Sequence, residues 1–270
     1  MKREHKYNKT GESLHPRLQI GIRRGMIAAA PPPLAEVQGA ALFLDFDGTL
    51  VALAQRPDAI AVPPHLPPLL DRVATLLGGR LAILTGRALA DLDSHLRAPH
   101  LAASGSHGLE RRAADGGASA AAPPPALEDA RAALARFAAS DASLIVEEKP
   151  ASVALHYRLA PGREAEALAL ADGIARQTGL RAQRGKMVVE LRPPGADKGD
   201  ALRALMAEPP FAGARPLFVG DDLTDEDGFR AAADLGGFGI LVGAPRDTAA
   251  AFRLADVAAV HAWLEAAAPR

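Results

Sequence analysis

The sequence predicts an α/β protein, with a parallel sheet flanked by helices on both faces and a smaller α+β unit inserted within it. Three observations carry this reading. Apolar runs at 40–44, 81–85, 216–220 and 238–242 have the length and near-continuous hydrophobicity of strands buried on both faces. Segments of helical character lie between them, giving the β-α-β rhythm of a parallel sheet. Between about 109 and 194 that rhythm is broken by alternating apolar and polar stretches, the pattern of a half-exposed antiparallel sheet.

In chain order, the strand at 40–44 leads through a proline-rich loop to a helix expected at 66–77, ended by Gly78-Gly79. A second strand at 81–85, a helix at 88–96 and a short third strand at 101–103 complete a βαβαβ unit. The Ala/Gly/Pro-rich stretch at 113–125 reads as a linker. The inserted unit then shows a helix at 127–139 and strands at 144–149 and 152–158, split by Pro150. A helix at 163–177 and strands at 181–183 and 187–192 follow, the last two turning at Gly185. Pro193-Pro194 closes the insert. Helices at 197–206 and 224–233, strands at 216–220 and 238–242 and a terminal helix near Trp263 restore the first pattern. The expected domains are a core of 36–108 and 195–268 and a cap of 109–194. The cap is expected to stand over the carboxyl ends of the core strands, as a gate on a crevice.

The bulk numbers exclude several classes. At 270 residues the chain can bury one large or two modest cores. A net charge of −1 offers no field for nucleic acid or a membrane surface. The absence of cysteine excludes disulfides and thiolate metal sites, and fits a cytoplasmic protein. No apolar run approaches the ~18–20 residues of a membrane span. Residues 1–35 are read as a disordered tail: polar and basic at first, then an Ala run too short for the apolar region of a signal peptide, then three prolines. Met26 offers an alternative start.

Four pieces carry chemistry, each at a strand end or helix start. Asp45-Phe-Asp47-Gly48-Thr49 places two carboxylates beyond the first strand, one to attack and one to move protons, with Gly48 allowing a sharp turn. Thr85-Gly86-Arg87 offers a hydroxyl, backbone N–H groups and a cation to hold phosphate oxygens. Lys198, opening a helix, suits the developing charge and the nucleophile. Asp221, in the acidic run 221–227, suits a hard divalent cation such as Mg²⁺, together with Asp45 and the carbonyl of Asp47. Alone, each piece reads as a turn, a cap or a solvated helix end, with Thr224 or Asp225 capping the acidic run. Their order and strand context make them one crevice for phosphoryl transfer.

These four pieces, in this order, resemble the haloacid dehalogenase-like phosphatase superfamily over essentially the whole chain after residue 36. The resemblance implies a Rossmann-like core with a cap of type C2B. Asp45 is then the nucleophile that forms an aspartyl-phosphate, and Asp47 the acid that protonates the leaving oxygen and later activates water. It also implies that Thr85 binds the phosphoryl group, Lys198 stabilises charge, Asp221 holds Mg²⁺, and Asp222 and Asp225 stand one step out from the metal.

The cap narrows the resemblance further. Gly105-Ser-His107-Gly-Leu-Glu110, Glu147-Glu-Lys149-Pro150, His156-Tyr-Arg158 and Gly185-Lys186-Met-Val-Val-Glu190-Leu-Arg-Pro193 are similar to the trehalose-6-phosphate phosphatase family. The implied reaction is Mg²⁺-dependent hydrolysis of trehalose 6-phosphate to trehalose and phosphate, the last step of trehalose biosynthesis. Glu147, Lys149 and Glu190 are implied to bind the sugar hydroxyls, where a wrong sugar would leave polar groups unpaired. His107, His156 and Arg158 are expected to be structural or rim residues. The implied partners are a sugar phosphate and, functionally, a trehalose-6-phosphate synthase; the chain is expected to act as a monomer. Another sugar phosphate, such as sucrose 6-phosphate or a glycosylglycerol phosphate, is the near rival. A phospho-acceptor signalling domain would need neither Asp47 nor the insert, and an inactive partner of the synthase would not need Asp45, Asp47, Thr85, Lys198 and Asp221 together.

Overall fold

The computed structural model describes residues 30–54, 59–120, 122–195 and 197–269. The first core stretch holds strand β1 (Ala40–Leu44), helix α1 (Leu66–Leu76), β2 (Leu81–Leu84), α2 (Leu89–Leu96), β3 (Ala102–Gly105), β4 (Glu110–Arg112) and β5 (Ala118–Ala120). The insert holds α3 (Ala126–Ala138), β6 (Ile145–Glu148), β7 (Val153–His156), α4 (Glu164–Thr178), β8 (Arg181–Gly185) and β9 (Val188–Arg192). The chain then returns with α5 (Lys198–Met206), β10 (Arg215–Gly220), α6 (Glu226–Asp234), β11 (Phe238–Val242), β12 (Phe252–Leu254) and α7 (Val257–Ala267).

The large sheet has the order β12-β11-β10-β1-β2-β3-β4-β5. Strands from β12 to β3 are parallel, and β4 and β5 add an antiparallel edge. β1 is buried throughout between β10 and β2. It carries side chains to both faces: Leu42 and Leu44 join one apolar layer, Ala41 and Phe43 the other. That explains why its sequence is apolar without alternation. The chain proceeds from β1 to β2 on one side and returns through β10 on the other. The crevice at this reversal is the expected place for a site.

The second sheet, β6-β7-β9-β8, is antiparallel and alternates as expected. Val153, Leu155, Val189 and Leu191 pack on Leu127 and Leu134 of α3 and Ala167 and Ala171 of α4. The polar residues of the other face are turned toward the core sheet.

Several details depart from the sequence reading. Residues 110–120, expected in the cap and a linker, form a hairpin on the edge of the large sheet. β5 has no apolar alternation to betray it; backbone pairing and the Asp115-Gly116 turn, with Gly117 N–H on Asp115 Oδ1 at 2.9 Å, hold it. The end of the expected tail is also packed: Leu34 is buried, and Trp263 Nε1 donates to the Pro32 carbonyl at 2.9 Å. The rest of that tail lies outside the described residues. β12 was not expected, being only three residues long. The turn between β8 and β9 falls at Lys186-Met187 rather than at Gly185, with Met187 at φ 62°. Asp225 stands at the N-cap of α6, one of the two residues expected there, but makes no side-chain cap bond to it; the side-chain capping comes one turn earlier, where Asp222 caps the short turn Leu223–Asp225 in a reciprocal box with Asp225.

Candidate active site

Asp45 leaves the carboxyl end of β1, Thr85 that of β2 and Asp221 that of β10, so three neighbouring strands deliver them to one crevice. Lys198 opens α5, which begins with a capping box between Asp197 and Asp200. Its Nζ donates to Asp45 Oδ1 at 2.7 Å and to Asp225 Oδ1 at 2.5 Å. Asp225 Oδ2 accepts the backbone N–H groups of Asp221 and Asp222, each at 2.8 Å. Both oxygens of Asp225 are thereby engaged, one bracing Lys198 and one fixing the loop that carries Asp221.

Gly48 must be glycine on two counts. Its φ is +86°, and a Cβ there would collide with the Asp221 carboxylate. Thr49 Oγ1 reaches the same carboxylate at 3.5 Å. The turn after β1 is thus shaped to admit the side chain from β10.

Asp45, Asp221 and Asp225 each offer a carboxylate oxygen within 4.8 Å of one another. Burial pushes the Asp45 carboxyl well up; Lys198 pulls the other way, and Asp225 and Asp221 push it up further. Asp221 is raised by burial and then by Asp225, against the pull of Lys186. For Lys198, burial opposes the charge, but the attraction of Asp225 and Asp45 outweighs it and raises the ammonium above the usual lysine value. By count, three clustered carboxylates, Asp45, Asp221 and Asp225, face two ammonium groups, those of Lys198 and Lys186. Oxygen donors with a deficit of positive charge suit a hard divalent cation.

Asp47 points into the same cavity and is gripped by Arg87, whose Nε and Nη2 donate to its two oxygens at 2.6 and 2.8 Å. Arg87 also donates to Asp91 at 2.6 Å. Its charge is held firmly: burial opposes it, and the bonds to Asp47 and Asp91 more than compensate. Thr85 Oγ1 accepts the Arg87 backbone N–H at 3.1 Å, which leaves its hydroxyl hydrogen available to donate.

The cap closes over this group. Glu147 pairs across β6-β7 with Ala154, Ala154 across β7-β9 with Glu190, and Glu190 across β9-β8 with Gln183. The small Ala154 leaves a groove between two carboxylates. Glu147 bonds the His156 ring at 2.7 Å; burial would raise its carboxyl, but His156 and Lys149 bring it below the usual range. Lys149 Nζ donates to Glu190 Oε2 at 3.0 Å and to the Gly86 carbonyl of the core at 2.8 Å. Burial would raise Glu190 too, but Lys149, then His107, hold it well below the usual carboxylate range. His107 Nε2 stands 3.5 Å from Glu190. A second seam joins Lys186 of the β8-β9 turn to the Asp221 carboxylate. A third joins Arg158 to the Ala54 carbonyl.

One cavity is lined by Asp45, Asp47, Gly86, Arg87, Glu147, Lys149, Glu190, Lys198, Asp221 and Asp222. Thr85 lies just beneath it, buried, and Asp225 is fully buried behind Lys198. Sequence reasoning did not find the Arg87–Asp47 grip, the reach of Lys186 to Asp221, or His107 beside Glu190. The left-handed backbone of Ser106 and His107, at φ 48° and 54°, aims that ring into the seam, and no residue pattern announces it.

The chain resembles known proteins over most of its length. A family model described as trehalose-phosphatase matches residues 43–258. A probable trehalose-phosphate phosphatase from Sinorhizobium fredii is 47% identical over 207 residues, 76% of this chain and 78% of that protein. The trehalose-6-phosphate phosphatase of Escherichia coli is 39% identical over 227 residues, 83% of this chain and 85% of that protein. Among solved structures, a trehalose-6-phosphate phosphatase related protein superposes with a TM-score of 0.70 at 26% identity, covering 83% of this chain and 95% of that one.

Proposed function

The chain belongs to the trehalose-phosphatase family, and from that premise we propose that its crevice hydrolyses trehalose 6-phosphate to trehalose and inorganic phosphate. The observation that carries the reading is the pairing of Lys198 with Asp45, 2.7 Å apart, beside Asp47 and beneath a cap face that presents Glu147 and Glu190.

The chemistry has two balanced steps. An oxygen of Asp45 bonds to phosphorus as the phosphorus–oxygen bond to the sugar breaks, and Asp47 gives the leaving oxygen its proton. Water then attacks the aspartyl-phosphate and passes a proton to Asp47, releasing phosphate and restoring Asp45. Lys198 neutralises charge on the attacking carboxylate and the phosphoryl oxygens. Thr85 donates its hydroxyl to a phosphoryl oxygen, and Arg87 sets the direction of Asp47. The residues that would hold Mg²⁺ are Asp45, through its side chain, Asp47, through its carbonyl, and Asp221. When bound, the ion supplies positive charge to the transferring phosphoryl group. Asp225 braces Lys198 and the Asp221 loop, and Asp222 caps that loop.

Glu147, Lys149 and Glu190 read the sugar. Each is a charged group committed to a protein partner in the closed cap, so a hydroxyl must replace that partner in kind. Residues 36–108 and 195–268 are the chemical core, to which the 110–120 hairpin belongs by pairing, and the remainder of the insert is the specificity cap. No helix among the described residues is long and apolar enough to cross a membrane. With no cysteine, the chain suits a reducing compartment such as the cytoplasm, where it would work on the product of a trehalose-6-phosphate synthase.

The test is phosphate release from a panel of sugar phosphates, with Mg²⁺ and with EDTA. Trehalose 6-phosphate is expected to lead the panel by kcat/KM, and EDTA to abolish release. Preference for another sugar phosphate would overturn the assignment of substrate, and release unaffected by EDTA would overturn the metal.

A further inference from the structure

Glu110 opens β4 and is buried, although it is not among the residues that line the cavity over Asp45. One of its carboxylate oxygens accepts the Ser106 hydroxyl at 2.5 Å, and the other accepts the Leu89 N–H at 3.2 Å. Leu89 is the first residue of α2, and the residue before it, Ala88, has no side-chain acceptor to offer. Glu110 therefore serves the start of α2 from the neighbouring strand. Its own backbone is held by the Ser104 hydroxyl, which donates to the Glu110 carbonyl at 2.9 Å. Around it the segment 104–107 is laced to 85–87. The Thr85 N–H reaches the Ser104 carbonyl at 2.9 Å, the His107 N–H the Thr85 carbonyl at 3.0 Å, and the Ser106 N–H the Arg87 carbonyl at 2.7 Å. Two glycines make room for this. A Cβ on Gly86 would strike the His107 ring, and one on Gly105 would strike the Arg87 carbonyl and the Leu89 nitrogen. Ser106 and His107 are both left-handed, a costly conformation for residues other than glycine, which persists only where the surroundings impose it.

We propose that Glu110 is a positioning residue for phosphoryl transfer, acting through Arg87 on Asp47. Arg87 is fixed at both ends. Its side chain grips Asp47 and Asp91, and its carbonyl is held by the Ser106 N–H, in the turn that Glu110 pins through the Ser106 hydroxyl. Two residues further on, Glu110 holds Leu89 directly. Without the carboxylate the left-handed turn relaxes, the 85–89 backbone shifts, and the guanidinium carries Asp47 away from the leaving oxygen. Small displacements at that point are enough to slow proton transfer. The inference rests on the reading of Asp47 as the proton donor of a phosphatase, and is independent of which sugar is bound.

The test measures kcat/KM of the full chain, with Mg²⁺, on two esters that carry no sugar, p-nitrophenyl phosphate and phenyl phosphate. Nitrophenolate leaves readily without a proton, whereas phenolate is the poorer leaving group and depends more on the acid. Glu110→Ala is expected to lower kcat/KM on phenyl phosphate about tenfold more than on p-nitrophenyl phosphate. In an Arg87→Lys background, where the grip on Asp47 is already lost, the same substitution should bring less than about twofold further loss on phenyl phosphate. A residue that merely stabilises the fold would affect both esters alike and would add its full loss to that of Arg87→Lys. Losses that are equal on the two esters, or absent, or fully additive with Arg87→Lys would each overturn the positioning role. Thermal melts show whether the variants are folded at the assay temperature. If Glu110→Ala is not, Ser106→Ala, which deletes one of the two bonds to the carboxylate, is judged by the same criteria. Release from neither ester by wild type would instead overturn the phosphatase reading, and the part of Glu110 with it.

Discussion

Arg87 brackets Asp47, with Nε on one carboxylate oxygen at 2.6 Å and Nη2 on the other at 2.8 Å. A lysine cannot reproduce that two-point grip, because its ammonium is a single point of charge on a flexible stem. Arg87→Lys is expected to lower kcat about a hundredfold through misplacement of the proton donor, with the circular dichroism spectrum unchanged. An unaltered kcat would show that Asp47 needs no such orientation.

The two carboxylates after β1 play different parts, and their amides should separate them. Asp45→Asn removes the attacking oxygen and should leave no measurable turnover. Asp47→Asn should slow turnover about 10²–10⁴-fold, the usual weight of general acid–base catalysis. Steady-state rates on trehalose 6-phosphate, with thermal melts to show intact folding, check both. Full activity in either variant would sink the two-step mechanism.

Glu147 is the cleaner probe of sugar recognition because its side chain is partly exposed and its partner, His156, stays in place. Glu147→Gln should reduce kcat/KM for trehalose 6-phosphate at least about tenfold more than for p-nitrophenyl phosphate, since only the sugar needs the carboxylate. Parallel losses on the two substrates would take Glu147 out of recognition.

The buried Lys149–Glu190 pair should leave a signature in stability against pH. Glu190 is held below its ordinary value of 4.5, so the stability it contributes is present in full above that value and is lost as the pH falls through its folded value. Lys149 is raised above 10.5, burial being outweighed by Glu190 and Glu147, so its contribution is complete below 10.5 and is lost as pH rises through the raised value. Glu190→Gln leaves Lys149 buried without its counter-charge and should cost about 3–5 kcal/mol near neutrality. The gap in Tm between the variant and wild type should be widest between these limits and should narrow as the pH drops below 4.5. A gap independent of pH would mean that the carboxylate charge is not what Glu190 contributes.

Much of this architecture was legible from residues alone. The runs at 40–44 and 238–242 matched their strands because burial on both faces forces continuous hydrophobicity. Lys198 could be expected against Asp45 because a strand end and a helix start meet at the reversal of an α/β sheet. β5 was hidden because an exposed Ala-Ser-Ala strand is held by backbone bonds that leave no mark on side-chain pattern. Asp222 escaped as a cap for a different reason. Several acidic residues crowd the stretch 221–227 and compete for the role, and only the short helical turn at Leu223–Asp225 settles which one stands outside it. The Arg87–Asp47 grip spans 40 residues and depends on a rotamer, which no local spacing encodes.

Lys149 ties Glu190 in the cap to the carbonyl of Gly86 in the core. On the proposed reading, the groups that recognise the sugar are also the ones that fasten the two halves when no sugar is present. Substrate then arrives as a replacement for an existing fastening, so the net strength of binding is the difference between two comparable sets of contacts. Such an exchange favours fast turnover over tight retention. A non-hydrolysable sugar phosphate would have to improve on the Lys149–Gly86 bond, not merely imitate a hydroxyl, to become a strong inhibitor.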